Sequence, residues 1–209
     1  MKHHAPVLQP FNVDAEILER FQKAAVSPDG LFEYPTGRPG LLALGYPADF
    51  VDSLPDSVAQ CYCGVGNPFA PGLPGKGWRV LDVGCGAGVD ALAASRIVGE
   101  EGHIAGLEFS PAMLARAAKN IRLSHAQTVS LHQGCAESLP FPDASFDMLI
   151  SNGVYNLVPN KPRALAEAFR VLKSGGVFQI ADQIRNSDQP PACPLPAPGA
   201  PQTESNWAK

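Results

Sequence analysis

Apolar positions along the chain fall into helical and strand-like runs that alternate through its middle and thin out at both ends. Val13, Ile17, Leu18, Phe21 and Ala25 recur at helical spacing and predict an amphipathic helix over residues 11–25, with Asn12 as its N-cap. The next stretch, S-P-D-G-L-F-E-Y-P-T-G-R-P-G-L, carries Pro28, Pro35 and Pro39 and reads as irregular. A short helix is expected from Leu54 to Gln60, with Pro55 in its first turn. C-Y-C-G-V-G-N-P-F-A-P-G-L-P-G-K-G then reads as a glycine- and proline-rich loop.

From Arg79 onward short apolar runs and helical patterns alternate. Val80, Leu81 and Val83 form a buried strand pattern, and a helix with Val89, Leu92, Ala93 and Ile97 on one face follows, ended by Gly99. H-I-A-G-L-E reads as a second strand closing at Glu108, and Ser110 and Pro111 cap a helix carrying Met113, Leu114, Ala117, Ala118 and Ile121. T-V-S-L-H-Q is a third strand and F-D-M-L-I-S-N a fourth. A helix with Leu165, Ala168, Phe169 and Leu172 on one face, Lys173 in its last turn and Gly175 and Gly176 as its stop leads to a fifth strand, V-F-Q-I-A, ending at Asp182. Strands alternating with helices predict an α/β, Rossmann-like three-layer sandwich with a mostly parallel sheet of about five strands. From Asn186 the prolines at 190, 191, 194, 196 and 198 predict an extended or disordered tail. The expected organisation is an N-terminal helical and lid segment (1–75), a core (76–185) and a proline-rich tail (186–209).

Composition narrows the chemistry. The 209 residues are 45% hydrophobic with a formal net charge of −4, enough for one sizeable core and no basic footprint for nucleic acid or an anionic membrane surface. No run of eighteen apolar residues and no apolar signal-peptide core are present, so a cytoplasmic protein acting on small molecules is expected. His3 and His4 read as solvated terminal residues. Cys61, Cys63, Cys85, Cys135 and Cys193 make an odd number, which argues against a disulfide framework, and no paired C-x-x-C motifs suggest structural zinc.

The densest chemistry lies in R-V-L-D-V-G-C-G-A-G-V-D. Gly84, Gly86 and Gly88 follow the first strand at alternate positions, giving a turn that a ligand can approach closely. A dinucleotide fingerprint would need glycine at position 89, where the chain has Val89. Asp82, inside the strand end, would repel a pyrophosphate but accept hydrogen bonds from an ammonium group such as that of S-adenosylmethionine (SAM). Glu108, at the end of the second strand, is suited to the two hydroxyls of a ribose. Ser151 and Asn152 close the fourth strand at the carboxyl edge of the sheet, where ligands of such folds bind.

These residues resemble the first motif of the class I SAM-dependent methyltransferases. Within that class C-Y-C-G-V-G-N-P, S-N-G-V-Y-N-L-V-P-N-K-P and L-A-E-A-F-R-V-L-K-S-G-G resemble the arsenite methyltransferases, the last motif being shared with ubiquinone-type enzymes. F-E-Y-P-T-G-R-P-G-L-L-A-L-G-Y looks like a bacterial branch of that group. The resemblance implies SAM as cofactor, held at its methionine end by Asp82, Gly84 and Gly86 and at its ribose by Glu108. Met113 would lie along the adenine, bordered by Cys135, Ala136 and Glu137, with Cys135 standing where the family pattern has Asp. Cys85, Gly88, Asp90 and Phe109 complete the implied cofactor shell, and Asn152 would face both the cofactor and the reacting centre.

The implied acceptor is trivalent arsenic or an arsenic–thiol compound, held by soft thiolates. This chain departs from the family there, with Gly153 in place of the cysteine of S-N-C-V and Val65 in place of that of Y-G-C-G. Cys63 and Cys61 sit two and four residues before Val65 and are the candidate arsenic ligands and catalytic residues, with two reduced structural cysteines as the alternative. A further family cysteine follows a tryptophan by three positions. Here Trp207, Ala208 and Lys209 stand just before that place, and the expectation is a chain cut at a cysteine or selenocysteine codon, short of the last strands of a seven-stranded sheet. A ubiquinone-type C- or O-methyltransferase and an idle SAM-binding remnant that self-associates through its uncovered edge strand remain open beside the arsenic reading.

Overall fold

The computed structural model describes residues 15–184. The expected Asn12 cap, His3, His4, Cys193, the W-A-K ending and the expected proline-rich tail lie outside them. Twelve elements follow in order: α1 (Ala15–Ala24), α2 (Gly37–Ala43), α3 (Ala48–Ser53), α4 (Asp56–Ala59), β1 (Arg79–Val83), α5 (Val89–Val98), β2 (His103–Glu108), α6 (Pro111–Leu123), β3 (Val129–Gln133), β4 (Phe146–Asn152), α7 (Lys161–Val171) and β5 (Leu172–Ala181).

The five strands form one parallel sheet in the order β3-β2-β1-β4-β5. Alternate strand residues serve opposite faces, as the two-residue period requires. Val80, Ile104, Met148 and Ile150 pack with α2–α5 and Ile121 of α6, whereas Leu81, Ala105, Leu107 and Leu149 pack with Ala164, Ala168 and Val171 of α7. Both faces are covered at the centre of the sheet, which is why β1, β2 and β4 read as nearly unbroken apolar runs, whereas the edge strands β3 and β5 are half-buried or exposed over most of their length. The chain moves outward from β1 to β2 and β3, then returns to the other side of β1 as β4. The carboxyl ends of β1 and β4 therefore flank the point where the winding reverses, the place where open α/β sheets bind ligands.

Four expectations are corrected. Pro39 lies inside α2, in the first turn, where the amide hydrogen it lacks would have no helical partner. Helix α3 was not foreseen, and α4 is four residues long with Pro55 at its N-cap, just before the helix. On α7 the buried face is Ala164, Ala168 and Val171, leaving Leu165 and Phe169 at 47% and 84% exposure. The helix ends at Val171, not at the glycines, because β5 begins at Leu172. Gly175 and Gly176 instead absorb a register shift between the Phe146–Leu172 and Met148–Val177 pairs, and Lys173 pairs with Asp147 at 2.7 Å.

Candidate cofactor and acceptor site

A cavity of about 1120 Å³, counted out to its open mouth, lies over the carboxyl ends of β1, β2 and β4. Its floor is the glycine turn after β1. Gly84, Cys85 and Gly86 line it, and the position a Cβ would take at Gly86 has no neighbour within 4 Å, so a ligand can press against bare backbone there. Glu108 is only 4% exposed. Its Oε2 accepts from Gly86 N (2.9 Å) and its Oε1 from Ser110 N (2.8 Å), so the backbone fixes the carboxylate at the turn. Phe109, Cys135, Ala136 and Glu137 line the far end.

Three buried carboxyl groups surround the turn. Asp90 and Glu108 are on the wall, and Asp82 lies beneath it with Oδ2 lacking any hydrogen-bond partner. Burial pushes all three above the ordinary carboxylate range: Asp90 rises to about 6, and Asp82 is raised further by repulsion from Asp90 and Glu108. Backbone N–H groups of Ser110 and Gly86 oppose the rise at Glu108. Among the described residues no lysine or arginine lines the cavity. A wall with buried acids and no basic counter-charge suits a cationic ligand. The ammonium and sulfonium of SAM meet that requirement, its ribose fits Glu108, and the site fits this cofactor.

Other predicted residues stand apart. Met113 is fully buried and packs with Ala24, Ala25, Cys61 and Ala87, behind the cavity wall that the last two help to form. Gly88 caps α5, and a Cβ there would meet Ala117 at 3.3 Å. Asn152 lines the cavity, yet its amide is occupied by protein. Its Oδ1 accepts from Val65 N (2.9 Å) and Gly66 N (3.1 Å), and its Nδ2 donates to Gly66 O (2.8 Å) and Asp90 Oδ2 (3.0 Å). The loop over residues 62–66 thus wraps the amide, and Gly64 is needed there because a Cβ would stand 2.5 Å from Asn152 Nδ2 and 2.4 Å from the Tyr62 hydroxyl.

All four described cysteines, Cys61, Cys63, Cys85 and Cys135, line this one cavity. Cys61 Sγ accepts from Arg116 Nε (2.8 Å) and donates to Ser57 O (3.0 Å). Cys63 is driven up to about 12 by burial and by Glu108, so it is an uncharged thiol at neutral pH. Among the described residues no group of three or more His, Cys, Asp or Glu is arranged to hold a metal ion. The two places where the family carries further cysteines meet: a Cβ at Gly153 would be 3.3 Å from Val65.

Sequence reasoning missed the aromatic side of the cavity. Ile17 and Phe21, one turn apart on α1, line it, and Phe21 sits edge-on to Phe109 with ring centres 6.2 Å apart. Tyr34 also lines it and donates from its hydroxyl to Cys63 O (3.0 Å). The i, i+4 pair on α1 was a usable signal, whereas nothing local links Tyr34 to Cys63.

A parallel sheet that reverses beside β1, a glycine turn after β1 and an acid ending β2 define a class I SAM-dependent methyltransferase. Residues 74–204, more than half of the chain, match a methyltransferase domain family, and the chain belongs to it. An arsenite methyltransferase of Halobacterium salinarum is 39% identical over 147 residues, 70% of this chain and 37% of its own length. A demethylmenaquinone methyltransferase of Listeria welshimeri is 41% identical over 108 residues, 51% of this chain and 45% of its own. The crystal structure of an arsenic(III) S-adenosylmethionine methyltransferase from Chlamydomonas reinhardtii superposes with a TM-score of 0.53 at 33% identity, covering 71% of this chain and 50% of that one. The chain spans half or less of the length of each of these relatives. Among the described residues no helix is long and apolar enough to cross a membrane.

Proposed function

We propose that the chain transfers a methyl group from SAM to a soft, thiol-seeking acceptor, trivalent arsenic held by Cys61 and Cys63. What supports this is that both cysteines line the cavity that holds the glycine turn and Glu108. SAM, when bound, supplies a methyl group on a positively charged sulfur. Glu108 fixes the ribose end, and Asp90 with Asp82 behind it balances the positive charge. Each thiol can take arsenous acid without first ionising: one As–OH and one S–H are exchanged for an As–S bond, and water leaves with the thiol proton. At Cys61 this gives up the hydrogen bond to Ser57 O, and the Arg116 contact to a sulfur lone pair can persist. Holding the acceptor beside the donor is chiefly an effect of proximity. The resemblance to arsenite methyltransferases of other organisms points the same way.

A second reading, a carbon or oxygen acceptor of the quinone type, is favoured by one contact. Val65 fills the space over Gly153, so that wall is aliphatic where a thiol would otherwise stand, and Val154 and Leu157 extend it. The demethylmenaquinone methyltransferase relative agrees with it. Calorimetric titration of arsenite into wild type and Cys61→Ser/Cys63→Ser separates the two. The arsenic reading expects binding in the wild type and its loss in the double variant; equal affinity in both removes the pair as ligands.

A further inference from the structure

The segment around Tyr46 is distinctive in the sequence, yet the proposed chemistry makes no use of it. Tyr46 is 4% exposed and does not line the cavity. It lies between α2 and α3, and its hydroxyl donates to Asp90 Oδ1. The other oxygen of Asp90 accepts from Asn152 Nδ2, and Asn152 Oδ1 holds the amides of Val65 and Gly66. Tyr62 completes the cluster by donating to Gly66 O at 2.8 Å. An unbroken chain of hydrogen bonds therefore runs from Tyr46 through the cofactor wall to the loop that carries Cys63.

We infer that Tyr46 is a positioning residue of the methyl-transfer site, holding the Asp90 carboxylate from behind so that it meets the cofactor's positive charge and fixes the Cys63–Gly66 loop through Asn152. The inference rests on the SAM reading of the cavity. Burial and the facing Asp90 charge push the Tyr46 phenol far above its ordinary value, so it remains a proton donor throughout the neutral range. The titratable groups that face Asp90 are the Tyr46 and Tyr62 phenols, the Asp82 carboxyl from β1 and the Cys63 and Cys85 thiols. None of them is a cation. The charged form of Asp90 is therefore stabilised by two neutral donors, Tyr46 and Asn152, against the cost of its burial. Removing one donor leaves a buried carboxylate half-satisfied, which is costlier than the loss of an exposed hydrogen bond.

The test is calorimetric titration of SAM into the full chain from mildly acidic to neutral pH, for wild type, Tyr46→Phe, Asp90→Asn and the double variant. Wild-type affinity is expected to fall as pH drops through about 6, where Asp90 takes a proton. Tyr46→Phe, which keeps the buried ring, should weaken SAM binding at least about fivefold at neutral pH and move that midpoint upward. In the Asp90→Asn background the same substitution should change little, since the two act as one unit. An unshifted midpoint in Tyr46→Phe, or a loss of the same size with and without Asp90, overturns the assignment and leaves Tyr46 a packing residue. A wild-type midpoint absent altogether overturns it without recourse to any variant. Failure of the wild type to bind SAM at any pH would instead remove the cofactor reading beneath it.

Discussion

The acids around the glycine turn carry the residue-scale consequence. Asp82, Asp90 and Glu108 are all held above their ordinary values by burial, Asp90 at about 6. A carboxyl group with a folded-state value above its unfolded value, about 4, takes up a proton on folding between the two. The stability of the cofactor-free protein should therefore fall as pH rises from about 4 through 6, the reverse of the usual salt-bridged acid. A bound cation offsets this cost only where the acids are charged, so the melting temperature gained with SAM should grow over the same interval. Melts with and without SAM check it, with an effect on the order of 5 °C that Asp90→Asn flattens. A gain independent of pH contradicts the charge argument. Asp82 and Glu108 were legible because strand ends fix which residues reach the carboxyl edge. Tyr46 was not, because its partner lies 44 positions away and only tertiary packing joins them. Met113 is placed by the phase of α6 in the interior, in one cluster with Ala24, Ala25, Cys61 and Ala87, which no local pattern announces.

At the scale of elements, the central strands β1, β2 and β4 were readable because burial on both faces makes each a short apolar run, and the last of them was located from Phe146 to Asn152. The helices before the sheet were harder. Prolines that break a helix interior are tolerated in a first turn, as at Pro39, and local sequence does not distinguish the two. The exposed Leu165 and Phe169 on α7 misled the choice of face, since three small or branched residues suffice to pack that helix. The loop from Tyr62 to Gly66 is the element on which the acceptor side depends. It closes around the Asn152 amide with no room at Gly64, so Gly64→Ala forces either the loop or the amide to move. Overpacking of this kind costs about 1–3 kcal/mol. The expected outcome is a melting temperature lower by several degrees, with acceptor binding impaired more than SAM binding. Equal loss of both would mean that the loop serves cofactor and acceptor alike, against the expected bias towards the acceptor.

For the whole molecule, a sheet that reverses its winding beside β1 brings a carboxylate-rich cofactor floor and a cysteine-bearing loop to one cavity. The cofactor half follows from short-range sequence order, which is why strand, turn and acid could be recognised together. The half of the cavity proposed for the acceptor is lined by α1, the Tyr34 segment, the 61–66 loop and the end of β4, and its composition emerges only when these meet. Val65 against Gly153 makes part of that wall aliphatic, while Cys61 and Cys63 keep it thiol-bearing. The most direct test of the account is transfer of a labelled methyl group from SAM to arsenite in the presence of a small thiol, run with wild type and Cys63→Ser side by side. The account predicts methylated arsenic from the wild type and at least about a hundredfold less from Cys63→Ser, the scale of losing a group that positions the acceptor. Retention of arsenite methylation by Cys63→Ser, or SAM binding by the wild type without any transfer to arsenite, would contradict it.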